Sequence, residues 1–237
     1  MHEIDINCDV GEGIGNEHKL MPFIQTCNIA CGGHAGSELL MNEIVTLAMK
    51  YKVKIGAHPS YPDFENFGRT SMNLSSKDLA LTILNQINTL QRVVVNCGGR
   101  LNHIKAHGAL YNDLMINEHL TTAFLKIIEV YKKDVKLFVP YRSVIARFAL
   151  RDGFNIVYEA FADRNYNNDL SLVSRNDKNA VITDPKMILE HILEIKNNGS
   201  ITSISGKHIP ILAETFCLHS DTENVVESIK FLNRNLN

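Results

Sequence analysis

Short, β-rich apolar runs alternate with longer helical patterns along the whole chain. The apolar runs predict seven strands, at residues 4–10, 27–32, 54–58, 101–107, 136–140, 155–161 and 209–218. The helical patterns lie at residues 17–24, 38–51, 75–96, 117–132, 142–151, 185–197 and 223–235. This order is typical of a parallel sheet with crossover helices. No long linker interrupts it, so one α/β domain over residues 1–237 is expected.

The parity of polar residues within the strands favours a barrel over an open sheet. In the first strand the even positions are apolar, whereas Asp5, Asn7 and Asp9 share the other face. The third and fourth strands show the same split, with His58 and Lys105 on the polar face. A strand between two helix layers would be apolar on both faces. We therefore expect a closed, TIM-like (β/α) barrel of seven strands, whose inner polar residues mark a site near the top.

The charge distribution argues against two classes of partner. Lys and Arg total 24 against 26 Asp and Glu, without a basic block, so neither nucleic acid nor an anionic membrane is expected. The sequence has no leader pattern, and no stretch approaches the roughly 20 apolar residues that span a bilayer. Five cysteines, most of them inside apolar runs, indicate reduced thiols. We expect a soluble, cytoplasmic protein.

Ionisable residues gather at the C-terminal ends of the predicted strands, where β/α folds build their active sites. Asp9 and Glu12 follow the first strand, although a solvated loop with an acidic helix cap would look the same. Asn28 and His34 belong to the second strand and its loop. Backbone N–H groups at the next helix start could hold an anionic group beside His34. No lysine follows these glycines, so the loop is not a Walker A motif.

Histidines and one lysine mark the third and fourth strands. His58 ends the third strand, and Arg69 in the next loop suits a substrate carboxylate, although a surface arginine is the plainer interpretation. On one strand, His103 and His107 would lie about 13 Å apart and could not chelate one ion. Lys105 and His107 would share a face at about 6–7 Å. A lysine inside a lumen needs a charged partner, which favours a functional Lys105.

Further ionisable residues follow the last two strands, and one long segment lies among them. These residues are Glu159, Asp163, Arg164 and Arg175 after the sixth strand, and His219 and Asp221 after the seventh. Residues 162–179 are too long for a simple connection, so the segment either is disordered or folds over a site. Cys217 could be a nucleophile, but a small core residue is the favoured interpretation. We predict that Asp9, His58 and Lys105 reach one cavity.

Six motifs occur in order along nearly the whole chain. They are DINCDVGEG, CNIACGGHAG, GAHPSYPD with FGR, HIKAHGALYN, EAFADRNY and CLHSD. With these motifs the sequence resembles the LamB/YcsF family, named for the A subunit of 5-oxoprolinase. It departs from the family pattern at Ser37, where Asp is usual, at Ala106, where Pro is usual, and at Ser220, where Gly is usual. The missing acidic residue puts any role for position 37 in doubt.

The resemblance implies a glycoside hydrolase/deacetylase-like barrel that takes part in ATP-dependent opening of 5-oxo-L-proline to L-glutamate. ATP would be a co-substrate, cleaved to ADP and phosphate with Mg²⁺ in a complex with two partner subunits, B and C. A lactam is resonance-stabilised and a poor electrophile, so coupling to ATP is chemically reasonable. The lack of a P-loop is compatible with partners that handle ATP, and a homo-oligomer is left open.

We expect a catalytic centre of Asp9, His34, His58, Lys105 and His107. Asp9 and the histidines would position and deprotonate water, and Lys105 would stabilise oxyanion or phosphate charge. Arg69 or Arg164 would hold the substrate carboxylate. The expected substrate-binding residues are Glu12, Asn28, Arg69, Glu159, Asp163, Arg164, His219 and Asp221.

Two alternatives remain from the sequence. One is a metal-dependent deacetylase or amidohydrolase of a small amide or carbohydrate, with Asp9, His34 and His58 as ligands of a divalent ion. The other is a non-enzymatic subunit that binds a small molecule and delivers it to its partners or regulates them.

Overall fold

A computed structural model describes residues 4–236, and seven parallel strands close into a barrel. The barrel strands are β1 (Asp5–Val10), β2 (Thr26–Ala30), β3 (Lys54–His58), β4 (Leu101–Ile104), β5 (Lys136–Pro140), β6 (Ile156–Phe161) and β9 (Thr215–Cys217). Strand β9 pairs with both β6 and β1 and so completes the ring. The predicted seven-stranded barrel is confirmed.

Helices surround the barrel in alternation with its strands. They are α1 (Glu17–Leu20), α2 (Glu38–Tyr51), α3 (Ser76–Asn96), α4 (Gly108–Ile116), α5 (Glu118–Ile127), α6 (Val144–Arg151), α7 (Pro185–Asn198) and α8 (Val225–Leu236). Short 3₁₀ turns, Met21–Phe23 and Ile128–Tyr131, extend α1 and α5. None of the helices within residues 4–236 is long and apolar enough to cross a bilayer.

Two predicted elements differ from the structure. The expected strand 101–107 ends at Ile104, and α4 begins only four residues later. Buried residues lie on several sides of α4, so its sequence lacks the single apolar stripe that marks an amphipathic helix. The expected strand 209–218 is two strands, because β8 (His208–Pro210) pairs with β7 (Ser200–Thr202) in a hairpin outside the barrel.

The strand parity places the core and the lumen as the sequence predicts. On β1, Ile6, Cys8 and Val10 are buried with the apolar core, whereas Asn7 and Asp9 form hydrogen bonds with polar residues of neighbouring strands. All five cysteines are free thiols, and four are buried. The lumen therefore carries buried polar groups that must satisfy one another.

Candidate functional site

A cavity of about 750 Å³ opens at the C-terminal ends of the barrel strands. Asp9, His58 and Lys105 all line it, as predicted. The other ionisable residues in its wall are Glu12, Arg69, His107, Arg164, Arg175, His219 and Asp221. Among the described residues, the strand-end clusters of the sequence thus converge on one space.

Lys105 is the charged centre of the cavity floor. Its Nζ lies 2.9 Å from Asp9 Oδ1 and 3.0 Å from Glu159 Oε1, and its side chain is only 2% exposed. Burial alone would lower the pKa of Lys105, but the two carboxylates raise it well above its usual range. The third N–H faces the Sγ of Cys217 at 3.0 Å. Thiol sulfur is a weak acceptor, so this proton is the one most readily given to a ligand oxygen.

Asp9 is held as a carboxylate by the groups around it. Asn28 Nδ2 donates to Asp9 Oδ1 at 2.7 Å, and His58 Nε2 lies 3.4 Å from Asp9 Oδ2. Burial alone would raise the pKa of Asp9, but His58 and Lys105 hold it well below its usual range. Asp9 is therefore a charged acceptor on the floor of the cavity.

His58 and His107 form an unusual pair beside Asp9. His58 Nδ1 lies 2.8 Å from the Lys105 carbonyl, and His107 Nε2 lies 2.9 Å from the Phe67 carbonyl. Carbonyl oxygens only accept, so both of these nitrogens carry protons. If both rings were neutral, His58 Nε2 and His107 Nδ1 would direct lone pairs at each other across 3.0 Å. The pair therefore requires a positive charge between the rings, either a shared proton or a bound cation.

Glu12 and His34 support this pair from one side. His34 Nε2 lies 3.0 Å from Glu12 Oε1, and the His34 ring stacks on His107 with centroids 3.5 Å apart. Burial and the nearby His58 lower the pKa of His34 to about 3, so its ring is neutral near pH 7. The expected anion site at the start of α2 is not formed, because the Ser37 hydroxyl caps that helix and His34 faces Glu12.

His219 forms a second, separate arrangement on the opposite side of Asp9 from His58. Its Nδ1 lies 2.8 Å from Asp163 Oδ1, and Thr222 Oγ1 donates to Asp163 Oδ2 at 2.6 Å. Burial alone would lower the pKa of His219, but the Asp163 carboxylate raises it. The ring lies nearly parallel to Phe161, with an interplanar angle of 10°.

Arginines and one carboxylate form the rim of the cavity. Asp221 Oδ2 lies 3.1 Å from a nitrogen of Arg69 and 3.1 Å from a nitrogen of Arg175. All three side chains are about one-third exposed or more. This bridge joins the loop after β3, the loop after β6 and the loop after β9 across the mouth.

The segment 162–179 is folded and covers part of the site. Short β-bridges join Arg164 to Val181 and Tyr166 to Leu172, and residues 171–176 line the cavity. The guanidinium of Arg164 donates to the carbonyls of Val173 and Ala180. Of the two outcomes expected for this segment, the structure has the one in which it folds over the site.

A match to a family model agrees with this geometry. The model described as "LamB/YcsF family" matches residues 4–237. The chain belongs to the LamB/YcsF family. The predicted family is therefore confirmed.

Named relatives of this LamB/YcsF chain cover nearly its full length. A protein of Bacillus thuringiensis subsp. konkukian (strain 97-27), named as the A subunit of 5-oxoprolinase, is 37% identical over 99% of this chain and 95% of its own. A protein of the same name from Bacillus cereus (strain AH820) is 36% identical over 96% and 92%. The crystal structure of a lactam utilization protein from Thermus thermophilus superposes with a TM-score of 0.90 at 30% identity, covering 98% and 97%.

Four of the expected site residues of this LamB/YcsF chain lie behind the cavity wall. Asn28 holds Asp9, His34 holds Glu12, Glu159 holds Lys105 and Asp163 holds His219. They do not line the cavity. The expectation that His34 is catalytic, and that Asn28, Glu159 and Asp163 touch substrate, is therefore revised: each orients a wall residue.

The sequence did not single out two residues that complete this inner row. The Tyr111 hydroxyl donates to Glu159 Oε2 at 3.0 Å, and Asn7 Nδ2 donates to Glu159 Oε1 at 3.0 Å. Glu159 is thereby saturated and 2% exposed. Asn7 could have been found from the parity of β1, on which it lies between Asp5 and Asp9.

The donor set around His58 fits a divalent cation. Its four atoms are His58 Nε2, His107 Nδ1, Asp9 Oδ2 and Glu12 Oε1, with neighbouring contacts of 3.0, 3.4 and 3.5 Å. Ligands about 2.0–2.2 Å from a tetrahedral Zn²⁺ lie about 3.3–3.6 Å apart, which is close to this spacing. His107 and Glu12 thus join the expected ligands Asp9 and His58, whereas His34 binds Glu12 instead. A metal ion there would supply a Lewis acid that lowers the pKa of bound water.

Proposed function

We propose that this protein is the subunit in which an ATP-dependent 5-oxoprolinase opens 5-oxo-L-proline to L-glutamate, with ATP cleaved to ADP and phosphate. The observation that carries the proposal is the cavity floor, where a charged, nearly buried Lys105 adjoins the Asp9–His58–His107 group. The printed names of the relatives and of the Thermus structure support a cyclic amide as the substrate class. We further propose that residues 1–237 act as one catalytic domain in the cytoplasm.

Each part of the floor has a step to perform. Asp9 and His58 hold a water molecule and accept its proton as the oxygen attacks the lactam carbonyl carbon. Lys105 exchanges its contact with the Cys217 thiol for one with the developing oxyanion or phosphate. Cys217 itself is not the nucleophile in this proposal, because burial raises the pKa of its thiol well above the usual range.

The substrate carboxylate is assigned to the rim of the cavity. Arg69 is half-exposed and needs only to release Asp221 to hold a carboxylate. Arg164 is the weaker candidate, because its guanidinium already serves two backbone carbonyls. Asp221 then acts as the carboxylate that a substrate displaces.

Activation of the lactam is assigned to ATP and to partner subunits. Phosphorylation of the lactam oxygen would convert a poor electrophile into a good one. The chain has no Walker A loop, so we propose that partner subunits B and C bind ATP with Mg²⁺. The relatives are named as one lettered subunit of 5-oxoprolinase, which supports the existence of such partners.

A reconstitution assay tests this function. The purified protein is mixed with the two partner subunits, 5-oxoproline, ATP and Mg²⁺, and glutamate and ADP are followed together. We expect glutamate and ADP to appear in equal amounts only when all three subunits are present. Full glutamate formation by the partners alone would instead identify this chain as a non-catalytic binding subunit.

The facing nitrogens of His58 and His107 favour one second candidate, a metal-dependent amidohydrolase that needs no ATP. Asp9, Glu12, His58 and His107 would hold the ion. Elemental analysis of the purified protein, followed by chelation and reloading, separates the two functions. A stoichiometric metal whose removal abolishes ATP-independent lactam hydrolysis would support this candidate over the first.

A further inference from the structure

The side chain of His219 is fixed at every atom except the one that faces the cavity. Asp163 accepts from its ring Nδ1–H and also from its main-chain N–H at 3.1 Å. Asp163 is fully buried, and Thr222 occupies its second oxygen. The Phe161 ring covers one face of the imidazole. These contacts set the tautomer and the ring plane, as a second residue does for a catalytic histidine.

The remaining nitrogen of His219 is free and opens into the cavity. Nε2 has no hydrogen-bond partner within residues 4–236, and His219 lines the cavity wall. A ring nitrogen of His219 lies within 4.8 Å of an Asp9 carboxylate oxygen. His58 contacts the same carboxylate at 3.4 Å, so Asp9 lies between the two histidines. A small substrate above Asp9 can therefore have water on the His58 side and its leaving group on the His219 side.

We propose that His219 is the proton donor to the ring nitrogen that leaves when the lactam opens, a role that rests on the function proposed above. Water adds to the carbonyl carbon and gives one proton to the Asp9–His58 group. The bond between that carbon and the ring nitrogen then breaks, and its electron pair stays on the nitrogen. His219 Nε2–H supplies the proton that makes the nitrogen an amine. The imidazole regains its proton from solvent.

This assignment explains how ATP cleavage stays coupled to ring opening. If the lactam oxygen carries a phosphoryl group, the tetrahedral adduct can expel either the amine or the phosphate. Expelling the amine gives an acyl phosphate that water converts to glutamate and phosphate. Expelling the phosphate instead regenerates 5-oxoproline and wastes the ATP. An unprotonated amine is the poorer leaving group, so a proton from His219 favours the productive path.

Two substitutions at His219 separate proton donation from support of Asp163. His219→Asn keeps an N–H close to the position of Nδ1, and so keeps the bond to Asp163, but it has nothing in place of Nε2. His219→Gln places an amide near Nε2 that cannot transfer a proton, and it serves as the second test if the Asn variant does not fold. The matched control is His119→Gln, on the exposed face of α5. Melting temperatures, glutamate, ADP and the KM for 5-oxoproline are measured in the reconstituted three-subunit complex.

We expect kcat for glutamate to fall by about 10²–10⁴ in both His219 variants, the range for loss of a general acid, with KM little changed. The ratio of ADP to glutamate should rise well above that of the wild type and of His119→Gln. A folded variant with normal kcat, a raised KM with normal kcat, or an unchanged ADP to glutamate ratio would overturn the proposal for His219. A wild-type complex that makes no glutamate would instead overturn the proposed function itself.

Discussion

The lower and upper parts of the lumen meet on one short stretch of chain, at His103 and Lys105. Both residues point inward, and they are separated by a single residue. The His103 ring stacks on Phe138 with centroids 4.0 Å apart, and its Nε2 lies 2.6 Å from Asn28 Oδ1. Burial lowers the pKa of His103 well below its usual range, so the ring is neutral. Lys105, by contrast, is charged and borders the cavity.

The difference shows that inward parity identifies the lumen but not the role of a residue in it. His103 fills space that Gly56 leaves, since a Cβ at Gly56 would collide with the imidazole ring. Lys105 instead brings together carboxylates from β1 and β6. In the lower lumen polar groups satisfy neutral neighbours, whereas in the upper lumen charges remain available to a ligand.

The largest expected effect comes from removing the charge of the upper lumen. Lys105→Met leaves Asp9 and Glu159 facing each other without a cation, so we expect unfolding free energy to fall by about 3–5 kcal/mol. The double variant Lys105→Met/Glu159→Gln removes one of those carboxylates and should recover much of the loss. Urea unfolding of the two variants and the wild type measures this. Equal stability of the single and double variants would contradict the ion network.

The fold and the presence of the site were accessible from local patterns, but the partnerships within it were not. The odd positions of β1 and the strand-end clusters predict a barrel with a polar upper lumen. The sequence also predicts that Lys105 needs a charged partner. It does not identify Glu159 as that partner, because this pairing depends on how the strands close across the barrel.

The same limit applies to residues that sit one layer apart. Nothing in the local sequence distinguishes Asp9, which lines the cavity, from Asn28, which lies behind it. The strand spacing assumed for His103 and His107 also fails beyond Ile104, where regular β4 ends. Depth within the lumen is a property of the closed barrel rather than of any one segment.

A smaller effect is expected from filling the lower lumen. Gly56→Ala should lower unfolding free energy by about 1–3 kcal/mol, because the added methyl group displaces the His103 ring. In a His103→Ala background the obstacle is gone, so the same substitution should cost much less. A double-mutant cycle of urea unfolding tests this coupling. Additive effects of the two substitutions would show that the ring is not the cause.

The neutral state of His103 predicts a pH dependence of stability. Its pKa is lowered in the folded protein, so between that value and about 6.5 the unfolded chain binds more protons. Stability is therefore lost as pH falls below about 6.5, by up to about 1.4 kcal/mol per pH unit for each such histidine. His103→Gln should flatten the slope by about one proton relative to the wild type and to His119→Gln. An unchanged slope would mean that His103 is not buried in its neutral form.

The smallest effect is expected at the rim. The Arg69–Asp221–Arg175 bridge is partly exposed and screened by solvent, so Asp221→Asn should change unfolding free energy by only about 0.2–1 kcal/mol. Glu118→Gln, which breaks the exposed pair with Arg147, is a matched control for a surface bridge. A loss of several kcal/mol in thermal or urea unfolding would place Asp221 among the structural charges of the barrel instead.

Turnover by the Lys105→Met/Glu159→Gln variant in the reconstituted three-subunit complex tests the central claim most directly. The variant is expected to fold, because it leaves no carboxylate on β6 without its partner, so a loss of activity cannot be ascribed to unfolding. If the upper lumen is where the lactam opens, glutamate formation should fall by about 10²–10³ relative to the wild type. Glutamate formation at the wild-type rate by the folded variant would contradict the account.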